Sequence, residues 1–166
     1  GIQECGVDAL RFTLCSQNVK QHFINFDVTE CVTNKLFFNK IWQAAKYSIN
    51  FADKKNLIAR DLKTLDKTQL SEMDAWILSR LANTVETVHE SMEKYNFHFA
   101  TAALKTFLYN NFCDVYLETT KKYLNEHQDT ESSVHVLNLC LGVALDVMEP
   151  FTPYLSKYLK EYLPEN

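Results

Sequence analysis

From Val7 to Leu141 the chain contains no glycine, and no proline occurs before Pro150. Glycine and proline supply the backbone conformations that tight turns between strands require. A fold of many short strands therefore has almost nothing to work with, and long helices fit instead. With 166 residues the chain is long enough to bury a core. The expectation is an all-α, up-and-down bundle of about five to six helices, with residues 1–166 as a single domain.

The hydrophobic spacing places those helices. A first covers Val7 to Ser16, and a loop "QNVKQHFINF" follows. Asp27, with Glu30 three residues on, has the pattern of a capping box. Behind it Val28, Val32, Phe37, Ile41, Ala44, Ala45 and Ile49 recur at helical spacing as one apolar stripe. Residues 52–70 are polar and read as a long connection, with a helical turn in "IARDLKTL". Ser71 opens a third helix with Asp74 at N3; its stripe is Met73, Ile77, Leu81, Val85 and Val88 or Met92. After a break at "KYNFH", the longest helix spans Ala100 to Leu124 and a fifth spans Val134 to Met148. Pro153 suits the first turn of a short last helix, since its missing N–H is not needed there.

Composition narrows the function classes. Apolar residues make up 46% and charged residues 23%, the balance of an ordinary globular domain. No apolar run has the length of a membrane span, so no membrane partner is expected. The start "GIQECGVDAL" lacks signal-peptide design and reads as cut from something larger. Five scattered cysteines without CxxC spacing argue against a disulfide framework or zinc site and for a reducing compartment. The net charge of −4 speaks against a general polyanion binder. Charge is uneven, however: Cys31 to Ala52 carries Lys35, Lys40 and Lys46 and no acidic residue.

No phosphate-binding or nucleophile-elbow motif occurs, and no repeated Glu-x-x-His supports a di-metal bundle. The histidines are spread over separate elements. Asp114 and Glu118 lie one helical turn apart in the aromatic stretch "NFCDVYLE", at a spacing where like charges cost a helix a few tenths of a kcal/mol. The pair alone is too weak a signal for a hydrolase. The expectation is that this chain is not an enzyme and holds no metal and no cofactor. In "NKIWQAAKY", lysines and aromatic rings share two turns, a combination suited to stacking and neutralising single-stranded RNA. The same spacing also fits Trp42 and Tyr47 as core aromatics beneath a solvated lysine face.

The segments "ECGVDALRF", "INFDV", "FFNKIWQAAKY", "MDAWILSRL", "FCDVYLE" and "PFTPYLS" occur in this order. Together they resemble the anticodon-binding helical domain of valyl-tRNA synthetases of eukaryotic type, from about Cys5 to Tyr154. "FCD-x-YLE" leans toward the valine enzymes over the isoleucine ones, and "MDAWILSRL" resembles organellar forms. The resemblance implies a tRNA partner, through the valine anticodon loop, and a second partner in the catalytic domain of a parent synthetase. That parent would be a valine–tRNA ligase using ATP; neither HIGH nor KMSKS occurs here, so a piece separated from the catalytic body or a shortened paralogue is expected. The implied compartment is the cytoplasm, with the mitochondrial matrix as the alternative.

By the same resemblance, Lys40, Tyr47, Leu117 and Glu118 face the middle base of the anticodon. Tyr47 would stack, Leu117 give an apolar contact, Glu118 accept from an exocyclic amine, and Lys40 donate while offsetting Glu118. Asn39, Thr29 and Lys46 stand at the margin, and Asp114 is expected to be a structural partner. The chain departs from the family at Thr29, where bacterial relatives carry arginine, at Gln43, where asparagine is usual, and in the loop "KQHFINFD". These departures favour the alternative reading, a non-catalytic paralogue acting as a helical protein-interaction or scaffold module, and imply low RNA affinity for this chain alone.

Overall fold

The computed structural model describes residues 4–24, 26–54, 70–126 and 131–163. Every regular element among them is helical. In chain order they are α1 (Val7–Cys15), α2 (Val28–Lys54), α3 (Glu72–Glu93), α4 (Phe97–Lys105), a π-helical segment (Thr106–Leu117), α5 (Glu118–Glu126), α6 (Glu131–Met148) and α7 (Pro153–Tyr162). The backbone stays helical through Lys105 and Glu118, so α4, the π segment and α5 form one uninterrupted rod.

The core follows the apolar stripes. Phe37, Ile41, Ala44 and Ala45 of α2 and Ile77, Leu81 and Val88 of α3 are buried, with Met73, Val85 and Met92 packed at the margin. Helix α6 is the hub. Its Val136, Leu137, Cys140, Leu141, Ala144, Leu145 and Met148 are buried, and it packs against α2, α3 and α7. Burying a large aliphatic side chain is worth about 1.5–3 kcal/mol, so this one helix anchors three others. At one end Phe12 meets Phe37, Phe38 and Phe151 at ring separations of 5.9, 5.6 and 6.4 Å.

The "DALR" stretch ties the first helix to the last. Asp8 Oδ2 accepts from the Leu155 amide at 2.6 Å, satisfying a free N–H in the first turn of α7. Arg11 Nη2 donates to the Pro150 carbonyl at 2.9 Å. Gly6, the N-cap of α1, sits at φ 85°, where a side chain would be strained.

Three boundaries differ by three residues from the sequence expectation. The turn at "KYNFH" is shorter, and α4 begins at Phe97 rather than Ala100. Tyr95 takes the left-handed conformation at φ 55°, its N–H bonds Met92 O, and the Asn96 N–H bonds Ser91 O at 2.7 Å. This is a Schellman closure with tyrosine where glycine is usual. It ends α3 without glycine and lets the next helix start at once. Helix α2 runs on to Lys54, so residues 52–54 belong to it, whereas "IARDLKTL" lies outside the described residues. Helix α6 begins at Glu131, three residues before Val134.

The two expected caps also behave differently. At α3 the capping box is complete, with Ser71 and Asp74 bonded in both directions. At α2 only half forms: Asp27 Oδ1 accepts from the Thr29 amide at 2.8 Å, while the Glu30 carboxylate accepts from Gln17 Nε2 at 2.8 Å.

Candidate nucleic-acid interface

The expected long helix contains 12 residues in π geometry, bonded i→i+5, much longer than the single-turn π-bulges usually seen. The sequence carries the reason. Apolar pairs Phe107–Leu108, Phe112–Cys113 and Tyr116–Leu117 are separated by five and then four residues, and all six are buried. An α-helix turns every 3.6 residues and would rotate the second pair off the core face. Opening the turn keeps both pairs inside.

That register organises the outer face. Tyr109 and Asp114, five residues apart, both meet Lys40 of α2: its Nζ donates to Asp114 Oδ1 at 2.5 Å and lies 3.4 Å from the Tyr109 ring centroid. Burial pulls the Lys40 ammonium down, but the hydrogen bond and charge of Asp114 outweigh it and leave it raised. Glu118, one turn on, pairs with Lys121 Nζ at 2.6 Å. The two carboxylates thus each have their own lysine. The expected offset of Glu118 by Lys40 is not what forms; Lys40 is held by Asp114, because the wider turn brings Asp114 rather than Glu118 opposite it.

Between α2 and the π segment lies an open cleft of about 510 Å³. Lys40, Lys46, Tyr47, Leu117 and Glu118, five of the seven residues singled out in the sequence, line it together. Leu117 is a buried floor, and Tyr47 is half-buried on the wall. The Tyr47 ring lies 4.7 Å from Phe51, and Lys121 Nζ stands 5.3 Å from its centroid. Burial first, then the Glu118 carboxylate, pushes the Tyr47 hydroxyl up to about 12, so it keeps its proton and remains a donor. Burial likewise raises the Cys113 thiol to about 11, which keeps it an unreactive wall residue.

Asn39 is exposed but does not line the cleft, and Thr29 lies about 16 Å further back along α2 at helical rise. Sequence reasoning missed Lys121 and Asn50, which do line it. Lys121 had a signal, since it stands three residues beyond Glu118 and shares its face. Gln43, Lys46 and Asn50 make no hydrogen bond or ion pair among the described residues, so no described side chain competes for their polar groups at the cleft. Three lysines against two carboxylates make the cleft locally positive on a chain of net charge −4. An apolar floor, an aromatic wall, carboxylate acceptors and ammonium donors are the elements needed to hold one unpaired base and its phosphate. Among the described residues no group of histidine, cysteine and carboxylate side chains is arranged to hold a metal ion.

Residues 74–165, more than half the chain, match the family model described as the anticodon-binding domain of tRNA ligase, and the chain belongs to that family. Among its relatives, the mitochondrial valine–tRNA ligase of Sus scrofa is 39% identical over 164 residues, covering 99% of this chain and 15% of the relative. The valine–tRNA ligase of Caenorhabditis elegans is 37% identical over 170 residues, covering 99% and 16%. The chain thus spans only about a sixth of the length of these relatives. The fold also matches LeuRS of Agrobacterium radiobacter, solved as a ternary LeuRS–tRNA–LeuAMS complex. The TM-score is 0.69 at 18% identity, over 99% of this chain and 19% of that one.

Proposed function

We propose that this chain is the anticodon-recognition module of a valyl-tRNA synthetase and supports ATP-dependent valylation of tRNA by the catalytic domain of its parent. The chain itself does no chemistry and needs no cofactor. The observation that carries this reading is the meeting of Lys40, Tyr47, Leu117 and Glu118 in one cleft, on a chain whose relatives are valine–tRNA ligases. In it Tyr47 stacks on the middle base of the anticodon, Leu117 supports the base, and Glu118 accepts from its exocyclic amine. Lys40 anchors Asp114 and meets the sugar–phosphate chain. Relatives with and without the mitochondrial name match this chain, so the parent belongs to either compartment.

The test is binding of the 166-residue chain to a hairpin with the valine anticodon loop and to one with the middle base changed, at two salt concentrations. Weaker binding to the changed hairpin at both salts is expected. Equal binding that vanishes with salt would leave only a nonspecific basic face and defeat the reading. Lys40→Ala should weaken both hairpins alike and reduce the salt slope by about 0.7 for each single-strand phosphate that the lysine neutralises.

A second reading, the helical protein-interaction module, draws on the exposed tyrosines of α7: Tyr154, Tyr158 and Tyr162 are 71%, 43% and 54% exposed. Equal binding to both hairpins together with capture of the parent's other domains would favour it.

A further inference from the structure

Helix α2 has a second cleft on its other flank, about 420 Å³, between it and α7. Its wall is an aromatic row. Trp42 stacks on Tyr158 at 4.9 Å and 16°, and the Tyr158 and Tyr162 rings are 5.0 Å apart with their hydroxyls 3.3 Å from one another. Leu159 and Ile49 lie beneath. The row is amphipathic rather than core: both tyrosines keep an exposed face. Two residues, Lys46 and Asn50, line this cleft and the first one alike, and neither is engaged by another described residue. Helix α2 is therefore a ridge with a pocket on each side and two polar side chains along its crest.

We propose that the α2–α7 cleft is a second base-stacking site, which takes another unpaired base of the same RNA loop while the loop straddles α2. This inference rests on the reading of the first cleft given above. In it Tyr158 and Tyr162 present ring faces to the base, Lys46 meets the phosphate between the two bases, and Asn50 donates to a base edge or ribose hydroxyl. A nucleotide satisfies every one of these groups: a π face for the tyrosines, an anion for Lys46, and acceptors for Asn50. An apolar helix laid in the same groove would desolvate Lys46 and Asn50 without partners, which is costly. Continuity decides the rest, since a strand leaving the first cleft across the ridge passes Lys46 and Asn50 and meets the tyrosines next.

The experiment uses the 166-residue chain and the valine anticodon hairpin carrying 2-aminopurine at one loop position at a time. Fluorescence quenching on binding is expected at two separate positions, one abolished in Tyr47→Ala and the other in Tyr162→Ala. Tyr162→Ala should weaken binding on the order of 10-fold. Thermal unfolding of each variant shows whether it remains folded, and Tyr162 is exposed enough for its loss to be tolerated. If discrimination of the middle base persists but no loop position responds to Tyr162→Ala, this inference alone falls and the tyrosine face passes to a protein partner. If the unsubstituted chain does not discriminate the middle base, the function proposed for the first cleft falls, and this inference with it.

Discussion

Asp114 and Tyr116 stand two residues apart on the π segment, yet they face carboxylate chemistry of opposite kinds. Asp114 is half exposed and pairs with the ammonium of Lys40 at the rim of an open cleft. Tyr116 is buried and donates to Asp74 Oδ1 at 2.5 Å. Asp74 is itself buried and also accepts from the Ser71 amide, the Ser71 hydroxyl and the Ser133 hydroxyl, at 2.9, 2.8 and 3.0 Å. The first arrangement can exchange partners at small cost, because an exposed ion pair contributes about 0–1 kcal/mol. The second cannot, because the buried Tyr116 hydroxyl would lose its carboxylate acceptor away from water. One face of the segment is built to meet a ligand and the other to hold helices together.

Substitutions on the two sides should separate cleanly. The largest effect is expected for Asp74→Ala, which removes the N3 half of the α3 capping box and the buried carboxylate that Tyr116 and Ser133 bond. It should destabilise the chain by about 3 kcal/mol in chemical denaturation. A loss under about 1 kcal/mol would show that the buried node does not hold the bundle. Glu118→Ala should reverse the profile. Stability should change by only a few tenths of a kcal/mol, while discrimination of the middle anticodon base relaxes by about 1–3 kcal/mol. Equal losses on cognate and mismatched hairpins would remove the reading role from Glu118. Tyr116→Phe keeps the packing and deletes one donor, for a stability loss of about 1 kcal/mol and no change in RNA discrimination.

The smallest effect is alkaline. In the unfolded chain tyrosine ionises near its ordinary value of 10, but folded Tyr47 holds its proton to about 12. The folded state therefore binds more protons between those values, and stability falls as pH rises through that window. Buried Tyr116, raised by burial and by Asp74, adds to the same decline. Tyr47→Phe should make the decline shallower without abolishing it, as read from denaturation midpoints across the window. An unchanged slope would show that Tyr47 is as free in the fold as in the unfolded chain.

The same contrast explains what the sequence discloses. Ser71 and Asp74 are three residues apart, so their capping box is a local fact and was legible. That Tyr116 and Ser133 converge on the same carboxylate depends on three helices packing together, which no local pattern encodes. Lys40 and Tyr47 sit on one face of a helix, so their shared cleft was within reach of spacing arguments. The assignment of Lys40 to Asp114 was not, because it depends on the π register. That register did leave a trace, in apolar pairs five residues apart, but a reading at the α period smooths it away. Tyr95 left none: a tyrosine in the left-handed conformation carries no local signature, and only the two bonds to Met92 O and Ser91 O reveal the closure.

The π segment also makes chain length a variable of its own. Each residue of an α-helix advances the face by about 100°, so one residue added or removed upstream of Glu118 rephases everything after it. Lys121 would swing away from Tyr47 while its own sequence stayed intact. Substitution scanning is blind to that dependence, whereas a single-residue deletion within Thr106–Leu117 exposes it. The two walls of the cleft are kept in step by counting as much as by chemistry.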